Sequence, residues 1–397
     1  MKILIISPVP THPPIAGNRT RILTLVDSLL GAGHTVHFAW VGMEDGDRIS
    51  MMKYFGDGFT ELLYHIPKPT PLARLRRRFQ RWLRLESAYV WGGDDWYDPG
   101  LTPQLLTLQA EHEFEVVCVE YVFISKALDA FPASVVKILD THDRFADRHL
   151  HYLRAGKQPE WFSTTPEDER TGLARADVVL AIQDSEAALF ASALHEKARV
   201  LTVGHLLDMS QSVLMADVTR AVFVASGNSI NVDGANAFIA KVLPLVRTEI
   251  PDFELWLAGD VCLHAIDAPG VHKLGRVNSV AQTYAQGALA VNPVRMGTGL
   301  NIKTMECLAL GVPLVATTSG SRGLENLRNQ AFLAVPDDDV AAMAAAVLRL
   351  LRDQVLRMTL AQGALSAARA WNIKQMGILE CALHKQTLAA EQKAVQR

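Results

Sequence analysis

Residues 1–41 read MKILIISPVPTHPPIAGNRTRILTLVDSLLGAGHTVHFAWV. Two short apolar runs, Lys2–Ser7 (KILIIS) and Thr35–Val41 (TVHFAWV), read as buried strands. Between them Ile22, Leu25, Val26 and Leu29 recur at helical spacing, and Gly31 and Gly33 close that segment. Strand, helix and strand in so short a span predict the start of a doubly wound parallel sheet, because parallel neighbours need a crossover and a helix supplies it.

The alternation continues outward. Val116–Glu120, Val135–Leu139, Val178–Ile182 and Arg199–Val203 read as further buried strands. The pattern restarts near residue 220 with Ala221–Ala225, Glu254–Ala258, Ala288–Val291, Pro313–Ala316 and Phe332–Val335, separated in part by helices expected at Gly234–Val246, Lys303–Leu310 and Val340–Leu351. A chain of 397 residues is too long for one ordinary core. The expected fold is therefore α/β, with two Rossmann-like domains. The first spans 1–207 and the second 218–359, with Gly204–Asp217 as linker. A helical segment, 360–397, follows, its helix expected over Leu360–Leu388. Open α/β sheets bind ligands at the carboxyl ends of their strands, so a cleft between two such sheets is the expected site.

Composition narrows the class. The chain is 49% apolar and 20% charged with net charge −3, which suits a soluble globular protein and offers no global attraction for nucleic acid. Cys118, Cys262, Cys307 and Cys381 are scattered without a CxxC pair or a His cluster at metal-ligand spacing, so reduced thiols and no metal are expected. No apolar stretch approaches the roughly 20 residues that cross a bilayer, and MKILIIS reads as a strand rather than a signal peptide. A cytoplasmic enzyme fits these features.

The chemistry concentrates in Asn292–Ala316, NPVRMGTGLNIKTMECLALGVPLVA. A strand runs through Gly297 and Gly299 into an amphipathic helix, breaks at Gly311-Val312-Pro313 and re-enters a strand. A glycine-bearing loop entering a helix exposes backbone N–H groups and the positive end of the helix dipole, both favourable to phosphate. Lys303 and Glu306 share one helical face. The lysine is suited to neutralising a phosphate and the carboxylate to accepting bonds from both ribose hydroxyls; a connecting loop with a solvated i,i+3 ion pair is the competing reading.

This stretch resembles the family 4 glycosyltransferases, which have the GT-B fold and carry a Glu-x7-Glu stretch followed by Ala-x-Gly-x-Pro-x-Val. Glu306, Ala309, Gly311, Pro313 and Val315 follow that order, whereas the first glutamate falls at Thr298. The chain instead matches the Gly-Thr-Gly-Leu-x-x-Lys form of the loop. Other parts are similar to the family as well: Gly33-His34-x-Val36, Phe223–Gly234 (FVASGNSINVDG), Leu257–Asp260 (LAGD), Leu274–Val277 (LGRV) and Trp371 before the last helix, which in the family crosses back to the first domain. Where many relatives place an Arg and a Lys on the donor phosphates, this chain has Asn228 and Asp233.

The resemblance implies a retaining, metal-independent transfer from a nucleoside-diphosphate sugar to a glycan, lipid-linked or other hydroxyl acceptor, in cell-surface polysaccharide or glycoconjugate synthesis. The nucleotide sugar is a substrate, and no cofactor is implied. Donor contacts fall to Lys303, Glu306, Arg295, Thr298, Gly299, Leu300, Asn301, Gly227 and Asn228. Lys303 also acts catalytically by stabilising the departing diphosphate, the largest expected contribution in such a step. The Pro- and Gly-bearing loop Ser7–Arg21, with Gly17, Asn18 and Arg21, is expected against a diphosphate or acceptor. Glu120 ends one strand, where the family often has a histidine, and Asp140, His142, Asp143 and Arg144 follow the next. Of these, His142 and Glu120 are the candidates for proton handling, and Asp143 and Arg144 for contacts to acceptor or diphosphate.

Leu72–Leu85 (LARLRRRFQRWLRL) carries six arginines, with Leu72, Leu75, Phe79 and Trp82 on one helical stripe. Such a helix either packs on the core with a solvated basic face or lies on an anionic membrane surface, which suits peripheral attachment and a lipid-linked acceptor. A nucleotide-sugar epimerase of the same fold and a non-catalytic sugar-nucleotide-binding relative stand as alternatives to transfer. Nucleic-acid binding on the arginines is disfavoured by the few stacking aromatics.

Overall fold

The computed structural model describes residues 1–14, 17–67, 71–83, 85–154, 158–159, 161–195, 198–296 and 301–395. The chain divides into two units, Met1–Leu206 with Gln375–Arg397, and Leu207–Lys374. Each is built on one parallel sheet.

In the first unit the strands are β1 (Lys2–Ser7), β2 (Thr35–Trp40), β3 (Phe59–Glu61), β4 (Val116–Glu120), β5 (Val136–Asp140), β6 (Val178–Ala181) and β7 (Arg199–Thr202), in the order β3-β2-β1-β4-β5-β6-β7. Every pairing is parallel. β1 and β4 are buried along almost their whole length because helices cover both faces. The helix Gly17–Gly31 carries Ile22, Leu25, Val26 and Leu29 into that core, as their spacing predicts.

In the second unit β8 (Arg220–Val224), β9 (Glu254–Ala258), β10 (Val271–Lys273), β11 (Leu289–Asn292), β12 (Leu314–Thr317) and β13 (Leu333–Val335) order as β10-β9-β8-β11-β12-β13, again all parallel. Alternate residues serve opposite faces: Ala221 and Phe223 pack in one apolar layer and Val222 in the other. Two strands were not expected, β3 and β10. Both are three residues long at a sheet edge, with a neighbour on one side only. An edge strand needs no continuous apolar run, so FTE and VHK leave no sequence signal.

Gly234 and Gly259 show how backbone proximity fixes residue type. A Cβ at Gly234 would stand 2.8 Å from the Pro293 carbonyl oxygen, so the helix Ser229–Ala237 lies directly on the segment after β11. At Gly259, with φ +89°, it would stand 2.3 Å from the Ala225 oxygen.

The last helix runs over Gln354–Val395. Leu360, Ala364 and Ala368 are buried in the cores of the second unit, and Leu379, Ala382 and Leu383 in the core of the first. Among the described residues no helix is long and apolar enough to cross a membrane.

Candidate functional site

Both sheets reverse strand direction of growth at their centre, between β1 and β4 in the first unit and between β8 and β11 in the second. These switch points are where open α/β sheets leave a crevice at the strand ends. Their contents differ.

At the first, the helix after β1 brings Arg21 to Asp140, which ends β5. Arg21 Nε donates to Asp140 Oδ2 at 3.0 Å and Nη2 to Oδ1 at 2.9 Å, while Nη1 and Nη2 donate to the Gly204 and Val203 carbonyls at 3.0 Å. Both side chains are buried. Arg21 is thus in the expected loop-and-helix entry, but its guanidinium is fully engaged inside the unit and not turned to a ligand. Burial raises the Asp140 carboxyl, yet Arg21 and His142 together outweigh it and hold the group below the usual carboxylate range.

Beside this pair Glu120 ends β4, wholly buried, with Oε2 2.5 Å from His142 Nε2. Burial and the neighbouring Asp140 charge raise the Glu120 carboxyl, and His142 opposes the rise. Two adjacent carboxyls are therefore pushed in opposite directions, the pattern that separates a proton carrier from a fixed anion. His142 lies face to face on Tyr121 at 4.1 Å between centroids. His142 (φ +58°) and Tyr121 (φ +73°) both hold positive φ, and such strain in non-glycine residues gathers at functional sites. Burial raises the Tyr121 hydroxyl well above its ordinary value, with the nearby Asn18 side chain opposing the rise.

Glu120, Asp140 and His142 offer ligand atoms within 4.8 Å of one another, a set able to hold a metal ion. Both Asp140 oxygens accept from Arg21, and Glu120 Oε2 is hydrogen-bonded to His142 Nε2. Asp143 pairs with Arg148 and accepts from the Arg144 backbone N–H at 2.8 Å; Arg144 Nε is 3.9 Å from Glu169. Sequence reading passed over Tyr121 and His205. Burial, with Arg21 and His142 nearby, lowers His205 to about 4. Neither has a motif signal; their roles come from neighbours distant in sequence.

At the second switch point, Asn301 caps the helix Ile302–Leu310 by accepting from the Thr304 N–H, and Gly311 ends it at φ +69°. Asn292, ending β11, donates from Nδ2 to Asn301 Oδ1 at 2.9 Å, fixing the helix start to the sheet. Lys303 and Glu306 are half-buried on this helix. Burial lowers the Lys303 ammonium and raises the Glu306 carboxyl, each opposed by the other's charge. Among the described residues neither makes an ion pair within 4.0 Å, so the solvated-pair reading does not hold. Gly297, Thr298, Gly299 and Leu300 lie outside the described residues.

The other expected donor residues are engaged locally. Asn228 caps the helix Ser229–Ala237, accepting from Asn231 N–H at 2.9 Å. Gly227 lets the chain pass the Asp260 carbonyl, where a Cβ would stand at 3.0 Å. Arg295 is held by Asp233 at 2.6 Å and Asp338 at 3.3 Å.

The helix of the arginine-rich segment spans Pro71–Trp82. Its apolar stripe is not packed on a core: Leu72, Leu75, Phe79 and Trp82 are 78%, 66%, 57% and 75% exposed. Arg77, on the opposite side of the helix, faces the protein, with its guanidinium 3.5 Å over the Trp91 ring and 3.1 Å from Asp95. The core-packed alternative fails here, because the apolar stripe is turned outward while Arg77 faces the protein.

Residues 219–353 match the family model described as glycosyl transferases group 1. No curated protein matches the sequence. Solved structures match over nearly the whole length at low identity. A sucrose-phosphate synthase from Thermosynechococcus elongatus is 16% identical with a TM-score of 0.58, over 98% of this chain and 100% of that one. HepE of Anabaena, in complex with UDP, is 14% identical at 0.57, over 96% and 100%. TarM of S. aureus, in complex with UDP among other ligands, is 10% identical at 0.58, over 97% and 99%. These likenesses establish the fold, two parallel α/β sheets in the GT-B architecture.

Proposed function

We propose that the protein is a retaining glycosyltransferase of the family 4 type, moving a sugar from a nucleoside diphosphate to the hydroxyl of a glycan, lipid-linked or other acceptor in glycoconjugate or polysaccharide synthesis. The observation that carries the reading is the pair Lys303 and Glu306. Two half-buried opposite charges stand at the start of a sheet-anchored helix without an ion-pair partner among the described residues. Leaving charges desolvated and unpaired is costly unless a ligand supplies the partners. A diphosphate at the helix N-terminus and a ribose diol on the carboxylate supply both. The match of residues 219–353 to the group 1 transferases supports this assignment, and UDP in the HepE and TarM structures makes UDP-sugars the first donors to try.

In the reaction the bond from the anomeric carbon to the diphosphate oxygen breaks, the acceptor oxygen bonds to the same face of that carbon, and the acceptor proton passes to the leaving phosphate. Lys303, with the N–H groups around Gly299–Asn301, stabilises the developing diphosphate charge. Arg295 is left aside by its two carboxylates. On the acceptor side, His142 and Glu120 orient the hydroxyl while its proton leaves for the phosphate, and Gly17, Asn18, Asp143 and Arg144 contact the acceptor or the diphosphate. No step requires a metal. The exposed stripe of the Pro71–Trp82 helix, with Arg74 and Arg78 also exposed, attaches the protein peripherally to the anionic inner face of the membrane. Flotation on anionic against neutral vesicles tests that attachment; equal retention overturns it.

A thermal-shift screen of UDP-, GDP-, ADP- and CMP-sugars tests the donor assignment, with Glu306→Gln as control. Stabilisation by one donor class, lost in the variant, is expected. No stabilisation by any donor overturns the reading.

A further inference from the structure

One cavity of the first unit has no place in the donor chemistry. It measures about 260 Å³ and is walled by Trp91, Trp96, Phe123 and Trp161, with Tyr64 and Ile66 at its side. Successive wall rings meet edge to face: Trp91 on Trp96 at 5.8 Å, Trp96 on Phe123 at 5.2 Å and Phe123 on Trp161 at 5.6 Å. Trp161 holds φ +65° and remains 40% exposed. Behind the Trp161 wall, Tyr121 packs edge-on at 5.3 Å and in turn stacks on His142, so one buried ring separates the cavity from the Glu120–His142 pair.

The polar groups of the cavity decide what it takes. Its two carboxylates are Glu44 and Asp95, and each faces an arginine, Arg19 at 3.5 Å and Arg77 at 3.1 Å. The Tyr64 hydroxyl donates to the Trp96 carbonyl at 3.0 Å. A cationic ligand would find the carboxylates neutralised and one face of Trp91 already under a guanidinium. A sugar ring would find these polar side chains engaged, where recognition of hydroxyls needs open ones. What remains open is apolar ring surface. Ile66, 77% exposed at the rim, continues it outward, and Arg77 joins the rim to the helix whose apolar stripe faces solvent.

We infer that this cavity binds the apolar chain of a membrane-borne amphiphilic acceptor. The helix Pro71–Trp82 sets the cavity mouth at the bilayer, and the chain enters past Ile66. Naming the ligand an acceptor rests on the transferase reading above; the apolar-chain specificity does not.

The test titrates the whole chain with farnesyl monophosphate below its aggregation threshold and reads occupancy from tryptophan fluorescence. A saturable change is expected, weakened about tenfold or more in Ile66→Asp, since burying that side chain against an alkyl chain contributes about that much. Ile66 is 77% exposed, so its replacement leaves the fold intact. Methyl glucoside and tetramethylammonium are expected to give no saturable change. The inference is overturned if farnesyl monophosphate does not saturate, if Ile66→Asp binds it as tightly as the unaltered chain, or if either of the other probes saturates. The donor screen reads the transferase reading separately: farnesyl monophosphate binding without any nucleotide-sugar stabilisation keeps the cavity and overturns the transferase.

Discussion

The two sheets share one strand order about their switch points, but they fill those points in opposite ways. In the first unit the buried charges answer one another: Arg21 grips Asp140 and two carbonyls, and Glu120 is joined to His142. In the second, Lys303 and Glu306 act on each other only at a distance. The same topology thus yields one point closed by its own hydrogen bonds and one whose half-buried charges have no ion-pair partner among the described residues. Topology places a crevice; side chains decide whether it is a scaffold or a receptor.

The largest effect expected from this contrast is structural. Asp140→Ala leaves a buried guanidinium unpaired, which should lower stability by about 3–5 kcal/mol. Urea unfolding measures it, and a loss below about 1 kcal/mol would show that the first switch point is not a closed network.

Acid should separate the units next. Burial lowers His205 and His37 to about 4 from an ordinary 6.5. Both folded values lie below the unfolded one, so the stability these groups contribute is present above pH 6.5 and lost as pH falls through about 4. His205 alone accounts for roughly 3 kcal/mol, and the buried His37 acts in the same direction. Glu306 runs the other way. Its carboxyl is raised by burial, so its contribution is present below the usual carboxylate range and lost as pH rises through its folded value. Amide exchange at pH 7 and 4.5 should show the first unit losing protection before the second; the reverse order would break the comparison.

At the second switch point, Glu306→Gln should weaken donor binding by about 1.5–3 kcal/mol, the weight of hydrogen bonds to a charged acceptor. Calorimetry with UDP and a UDP-sugar reads this directly, and unchanged affinity removes the ribose role. Arg295→Ala should do least. Its side chain serves two partly exposed ion pairs, so stability should change by less than about 1 kcal/mol and donor affinity by less than about twofold. A donor loss matching that of Glu306→Gln would restore Arg295 to the phosphate site.

Much of the scaffold was legible. The central strands were found because burial on both faces forces continuous apolar runs, and Gly311 marked a helix end because only a residue at ease with φ +69° stops there cheaply. The edge strands β3 and β10 left no such mark. Lys303 and Glu306 were legible as one helical face, since i,i+3 geometry is local. Asn228 and Arg295 were expected on a donor, yet one caps a helix and the other sits between Asp233 and Asp338.

The sequence by itself determined two parallel α/β units, the helix that presents Lys303 and Glu306, and the amphipathic character of Leu72–Leu85. Periodicity, glycine placement and helical spacing are properties of neighbours along the chain. Only the tertiary structure decided that Arg21 is closed on Asp140, that the apolar stripe faces outward, and that Trp91, Trp96, Phe123 and Trp161 wall one cavity. Those facts depend on which distant residues meet, and contact between distant residues is set by packing, which local pattern does not encode.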